Sequence, residues 1–177
     1  MMRRTLIPSA LVLVGAVALV VIGAAGSAQA KKPALSATPV FKLHLKPSQE
    51  VPPIKDLKAS AVGSVTFDLT RDANGTITAG EVVFYFNYSF PGSVTISGLH
   101  VHQEAKGVNG PIVVSSGVAT FTDSDGAGNV TAVVTGTPAV LQGILDNPRG
   151  YYVNLHTTTP FHPGGALREQ MHNPKKR

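Results

Sequence analysis

From residue 40 onward, turn-forming groups break the chain roughly every 8 to 12 residues, and the pieces left between them are of strand length rather than helix length. Asp72-Ala73-Asn74-Gly75, Phe90-Pro91-Gly92, Asp123 to Asn129 and Asn147-Pro148-Arg149-Gly150 interrupt runs rich in Val, Ile, Thr, Phe and Tyr. Between residues 62 and 70 the alternation is regular, with Val65, Phe67 and Leu69 on one side and Ser64, Thr66 and Asp68 on the other. That is the pattern of a half-buried strand. Strands are expected at 40–45, 62–70, 76–89, 94–103, 111–115, 118–122, 130–135, 151–157 and 167–171. One helical turn is expected, at 139–145, where Val140, Leu141, Ile144 and Leu145 share a face. The fold class is therefore all-β: an antiparallel β-sandwich or Greek-key barrel of about eight or nine short strands.

The chain has no Cys, so this sandwich must hold together by packing and hydrogen bonds, without disulfides or thiolate metal sites. Residues 1–30 carry Arg3 and Arg4, then an uncharged run to Ala30 that ends in Ala28-Gln29-Ala30. Those are the three parts of a secretory signal peptide. An uncleaved membrane anchor is the competing reading, because the run approaches spanning length. Residues 31–39 read as a linker, 40–172 as the domain and 173–177 as a basic tail. The expected location is secreted, periplasmic or cell-surface, with membrane contact only if the signal stays uncleaved. Of the net charge of +5, much sits at the ends. No basic stripe with interleaved aromatics runs through the middle, so nucleic acid is not an expected partner.

Six histidines carry most of the candidate chemistry. His100-Val101-His102 lies in an expected strand, where residues i and i+2 face the same way, so both imidazoles can reach one ion while Val101 faces the core. His156 lies in another strand, and pairing of the two strands would bring it alongside. Three imidazoles suit copper or zinc rather than calcium or magnesium. The plain alternative is a polar strip on the solvent face. His44 reads as solvated, with a fourth-ligand role open, and His162 as a loop residue. Asp72-Ala73-Asn74-Gly75 and Asp123-Ser124-Asp125-Gly126 imitate calcium loops, but both are explained more simply as turns. No Gly-x-Ser-x-Gly elbow, phosphate loop or dinucleotide fingerprint occurs, and no catalytic residue is assigned.

Four segments in order resemble the CHRD family, the domain named from chordin. Gly98-Leu99-His100-Val101-His102 is similar to the family's His-x-His block, and Asn109-Gly110-Pro111 to its Asn-Gly-Pro block. Tyr152-Val153-Asn154-Leu155-His156-Thr157 resembles its Val-Asn-x-His-Thr block, and Pro163-Gly164-Gly165-Ala166-Leu167-Arg168 its Pro-Gly-Gly-x-x-Arg block. Phe41 to Pro53 resembles its opening. The family usually has an acid where this chain has Ala166, and Glu169 is a possible substitute from a neighbouring position. The His-x-His strand also resembles, locally, the copper-binding strand of copper/zinc superoxide dismutases.

The resulting expectation is an exported CHRD-type domain that binds one transition metal, copper before zinc, through His100, His102 and His156. Asn109, Asn154 and Arg168 are the candidates for residues that orient the imidazoles or fix the loops around them. The alternatives are a metal-free extracellular module that contacts a cell-surface protein or polysaccharide, and a dismutase-like copper enzyme. Binding is favoured over catalysis.

Overall fold

The computed structural model describes residues 38–174. The expected signal peptide, the linker up to residue 37 and the last three residues of the basic tail lie outside the described residues. Nine strands form two antiparallel sheets. The first contains β1 (Val40–Leu45), β2 (Ser60–Arg71), β3 (Ile77–Ser89) and β7 (Ala127–Thr135), in the order β1-β2-β3-β7. The second contains β4 (Val94–Gln103), β5 (Ile112–Ser115), β8 (Tyr151–Thr159) and β9 (His162–Gln170), in the order β5-β4-β8-β9. The short β6 (Phe121–Asp123) also pairs with β4, beyond the stretch that β5 occupies.

The alternation noted in the sequence places the core. Val65 and Phe67 of β2 and Phe84 and Phe86 of β3 are fully buried from one side, and Leu99, Val101, Val153, Leu155 and Leu167 from the other. Phe41 packs on Phe67 with ring centroids 5.2 Å apart. The sheets are joined along one edge by backbone bonds, Lys46 N–H to the Arg168 carbonyl at 3.1 Å and Arg168 N–H to the Lys46 carbonyl at 3.2 Å. The expected helical turn is α1 (Pro138–Asp146), with Pro at its start and Leu141 and Ile144 buried.

One boundary differs in a way that affects the site. Strand β9 starts at His162 rather than 167, because Thr157 pairs with His162 and the extended Pro163-Gly164-Gly165 run forms an irregularity between that pair and Leu155–Leu167. His162 is therefore a strand residue and not a loop residue. The Asp72 loop is a hairpin turn: one carboxylate oxygen of Asp72 accepts from the backbone N–H groups of Asn74 and Thr76, both at 2.9 Å.

Candidate metal centre

The inner face of the second sheet is apolar, so the alternate positions of the same strands must face outward. In the register, Gly98 lies opposite His156, His100 opposite Asn154, and His102 opposite Tyr152. On the far side of β8, Asn154 lies opposite Arg168 and Tyr152 opposite Gln170. The outer face of three adjacent strands thus presents a polar array instead of the usual solvated one. Arg168, Asn154 and Tyr152 are almost completely buried, and His102 and His156 are 7% and 8% exposed.

Within this array the ligand nitrogens of His100, His102 and His156 all lie within 4.8 Å of one another. The ring centroids are 4.8 Å apart for His100 and His156, 5.6 Å for His102 and His156, and 5.7 Å for His100 and His102. Gly98 makes this possible. The His100 ring lies over it, and a Cβ at that position would stand 2.7 Å from Cε1 and 3.0 Å from Nε2 of the imidazole.

Hydrogen bonds fix two tautomers. His102 Nδ1 lies 2.9 Å from the Gly110 carbonyl, and His156 Nδ1 lies 2.9 Å from the Pro163 carbonyl. A carbonyl only accepts, so each Nδ1 carries the proton and donates it. Both Nε2 atoms are then bare lone pairs, and they face each other at 3.4 Å. Burial pushes the pKa of both rings down, against the carbonyl bonds that favour the charged form. His100 is pushed down to about 4, by burial first and then by its two neighbours. Its Nδ1 is buried and has no hydrogen-bond partner. The site is therefore three neutral imidazoles whose converging lone pairs can hold a metal.

A layer of side chains holds the loops against this face. Arg168 lies 3.4 Å over the Tyr152 ring, which stacks on His102 at 4.8 Å with only 11° between the planes. Arg168 donates to the Asn109 side-chain carbonyl at 2.9 Å and to the Val108 backbone carbonyl at 2.8 Å. Asn109 in turn donates to the Val51 carbonyl at 2.8 Å, and the Tyr152 hydroxyl accepts from Gly110 N–H at 3.0 Å. Gly110, whose carbonyl accepts from His102 Nδ1–H, is thereby held in place by Tyr152 and by its neighbour Asn109.

The sequence-predicted residues Asn109, Asn154 and Arg168 all sit in this layer. His44 does not join the cluster; it is exposed on β1. Glu169 points elsewhere, with its carboxylate accepting from the His44 backbone N–H and lying 3.6 Å from His172. It does not stand in for the missing acid at Ala166, which is buried.

Glu50 was not expected here. Glu50-Val51-Pro52-Pro53 is a turn-forming run, yet Glu50 is only 5% exposed and its Oε2 accepts from Asn154 Nδ2 at 3.4 Å. Glu50 Oε1 and Asn154 Oδ1 are both buried without a partner. Burial raises the Glu50 pKa to about 7, against the pull of Arg168 and of the Asn154 bond. A neutral Glu50 eases this cost, because protonation turns one carboxyl oxygen into a donor beside an amide whose Oδ1 lacks one. Tyr152 and Gln170 were likewise missed as site residues. Gln170 Nε2 lies 2.8 to 2.9 Å from the carbonyls of Glu104, Arg149 and Tyr151.

Comparison with curated proteins found no match, and neither did comparison with solved structures. The family model described as CHRD domain matches residues 41–171, a span that includes both sheets, all three histidines and the layer around them. The chain belongs to the CHRD domain family.

Proposed function

We propose that this is an exported CHRD-domain protein that holds one transition-metal ion, copper before zinc, through His100, His102 and His156. The observation that carries the reading is the pair of facing Nε2 lone pairs. Two neutral acceptors at 3.4 Å repel and gain nothing from each other, unless a cation lies between them. Two nitrogens bound tetrahedrally to one ion at about 2.0–2.1 Å lie about 3.3 Å apart, so the spacing already suits a metal. His100 supplies the third nitrogen on the more exposed side.

An all-imidazole set favours Cu²⁺ over Zn²⁺ by the general affinity order of divalent ions. The lowered imidazole pKa values support the same reading, because protons compete poorly for those nitrogens at neutral pH. Asn109, Arg168 and Tyr152 are assigned to holding Gly110, and through it the His102 ring. The location agrees with the domain type, since CHRD domains are typically extracellular or secreted. Among the described residues no helix is long and apolar enough to cross a membrane.

The test is metal content and copper affinity by competition with a chelator, in the wild type and in His100→Ala and His156→Ala. One copper per chain is expected, with each substitution weakening it by about a hundredfold or more, at least the loss seen for outer hydrogen-bond partners of metal ligands. Unchanged affinity in both variants overturns the assignment.

A further inference from the structure

Before β2 begins, the irregular segment 46–59 folds back along the end of β1 and leaves a groove of about 390 Å³, near the lower end of the range for ligand pockets. Its polar lining consists of Lys46, Lys55, His44, Ser48 and Ser60, and its apolar floor includes Ile54 and Leu57. No carboxylate lines it. Among the described residues no salt bridge joins Lys46 or Lys55 to a carboxylate.

The groove is braced from several sides. Lys46 is bonded through both its backbone groups to Arg168, and Ile54 N–H donates to the Pro47 carbonyl at 3.1 Å. The carbonyl of Val51 is held by Asn109, and Glu50 anchors the same segment to Asn154. A segment without strand pairing is thus fixed in shape by the buried layer beneath it, which lowers the ordering cost of binding.

One further lysine, Lys42, stands outside the groove. Lys42 and His44 are the exposed positions of β1, alternating with buried Leu43 and Leu45, and Lys46 follows just past its end, paired with Arg168. Residues two apart on a strand are about 6.6 Å apart, so Lys42 and Lys46 stand in line with the groove, with the polar ring of His44 between them. A single small anion would use only one point of this line. Repeated negative charge on a chain would use all of it.

We propose that this edge of the first sheet binds an acidic polysaccharide, with one uronate-type sugar seated in the groove and its neighbours running along β1. The lysines take the carboxylates, Ser48 and Ser60 take hydroxyls, and Ile54 and Leu57 take the apolar face of the sugar ring. A nucleic acid offers the charge but also needs stacking surfaces, and no aromatic side chain lines the groove. The lining includes none of the three histidines of the metal centre, so the proposal stands or falls separately from metal binding.

The experiment measures binding of the full chain to polygalacturonate, with neutral dextran and duplex DNA as comparisons. Lys46→Gln combined with Lys55→Gln should weaken polygalacturonate binding about tenfold, the sum of two exposed charge pairs, and flatten its salt dependence. Lys106→Gln combined with Arg149→Gln removes the same charge elsewhere on the exposed surface and should change it less than about twofold. Dextran should not bind. The proposal is overturned by absent polygalacturonate binding, by equal losses in the two double variants, or by equal or tighter binding of DNA.

Discussion

Replacing Glu50 by Gln should remove a loss of stability that the wild type suffers between about pH 4.5 and 7. In the fold Glu50 is raised from 4.5 to about 7, chiefly by burial, whereas in the unfolded chain it titrates at its ordinary value. Between those values the folded protein binds a proton that the unfolded chain has released, so stability is full below pH 4.5 and is lost as pH rises through 7. A displacement of this size, at 1.36 kcal/mol per pH unit, amounts to about 3 kcal/mol once Glu50 is ionised in both states. The Arg168 charge favours the ionised form, but burial outweighs it. Gln at this position is uncharged at every pH and keeps a donor beside the Asn154 amide. Urea unfolding of the wild type and Glu50→Gln at pH 5, 6, 7 and 8 isolates the effect, since every other titrating group is common to both. The wild type should lose roughly 2–3 kcal/mol more than the variant between pH 5 and 8. Parallel pH profiles would mean that Glu50 is ionised throughout, and the acid–amide pairing would be refuted.

Two further substitutions probe the geometry around the imidazoles. Gly98→Ala puts a methyl group 2.7 Å from the His100 ring, so it should push that ring aside and cost about tenfold in copper affinity, read by chelator competition, while leaving the denaturation midpoint close to wild type. Gly165→Ala meets the Asn154 amide at 2.4 Å from a backbone φ of +132° that favours glycine, and should lower stability by about 2 kcal/mol or more in urea unfolding.

Much of the fold was legible because period-two alternation and turn residues agree along most of the chain. The strand expected at 94–103 matches β4 residue for residue, and that at 40–45 matches β1. The misses come where local chemistry and tertiary pairing conflict. Pro163-Gly164-Gly165 looks like a loop, yet β9 runs through it, because Gly165 takes a positive φ and comes close against Asn154, where no side chain fits. The expected strand at 118–122 shrinks to Phe121–Asp123, since only Val94 to Ile96 of β4 are available to pair with it.

The convergence of the histidines could be anticipated for a local reason and a non-local one. The i, i+2 spacing of His100 and His102 is a property of any strand, but the nearness of His156 depends on β4 pairing with β8 in one register. A slip of one residue would turn His156 into the core and bring Leu155 out. That register is enforced from the opposite face, where Leu99 meets Leu155 and Val101 meets Val153 in the buried core. The hydrophobic pattern therefore aims the imidazoles, and the same pattern says nothing about Glu50. Its burial comes from a segment without periodicity, brought over the polar face by Asn154 and by the bond from Asn109 to Val51. The Asn154–Glu50 and Asn109–Val51 bonds span 104 and 58 residues, and no local rule in the sequence links their ends. Residues on paired strands could be placed from the chain alone; the loop that covers them needed the fold.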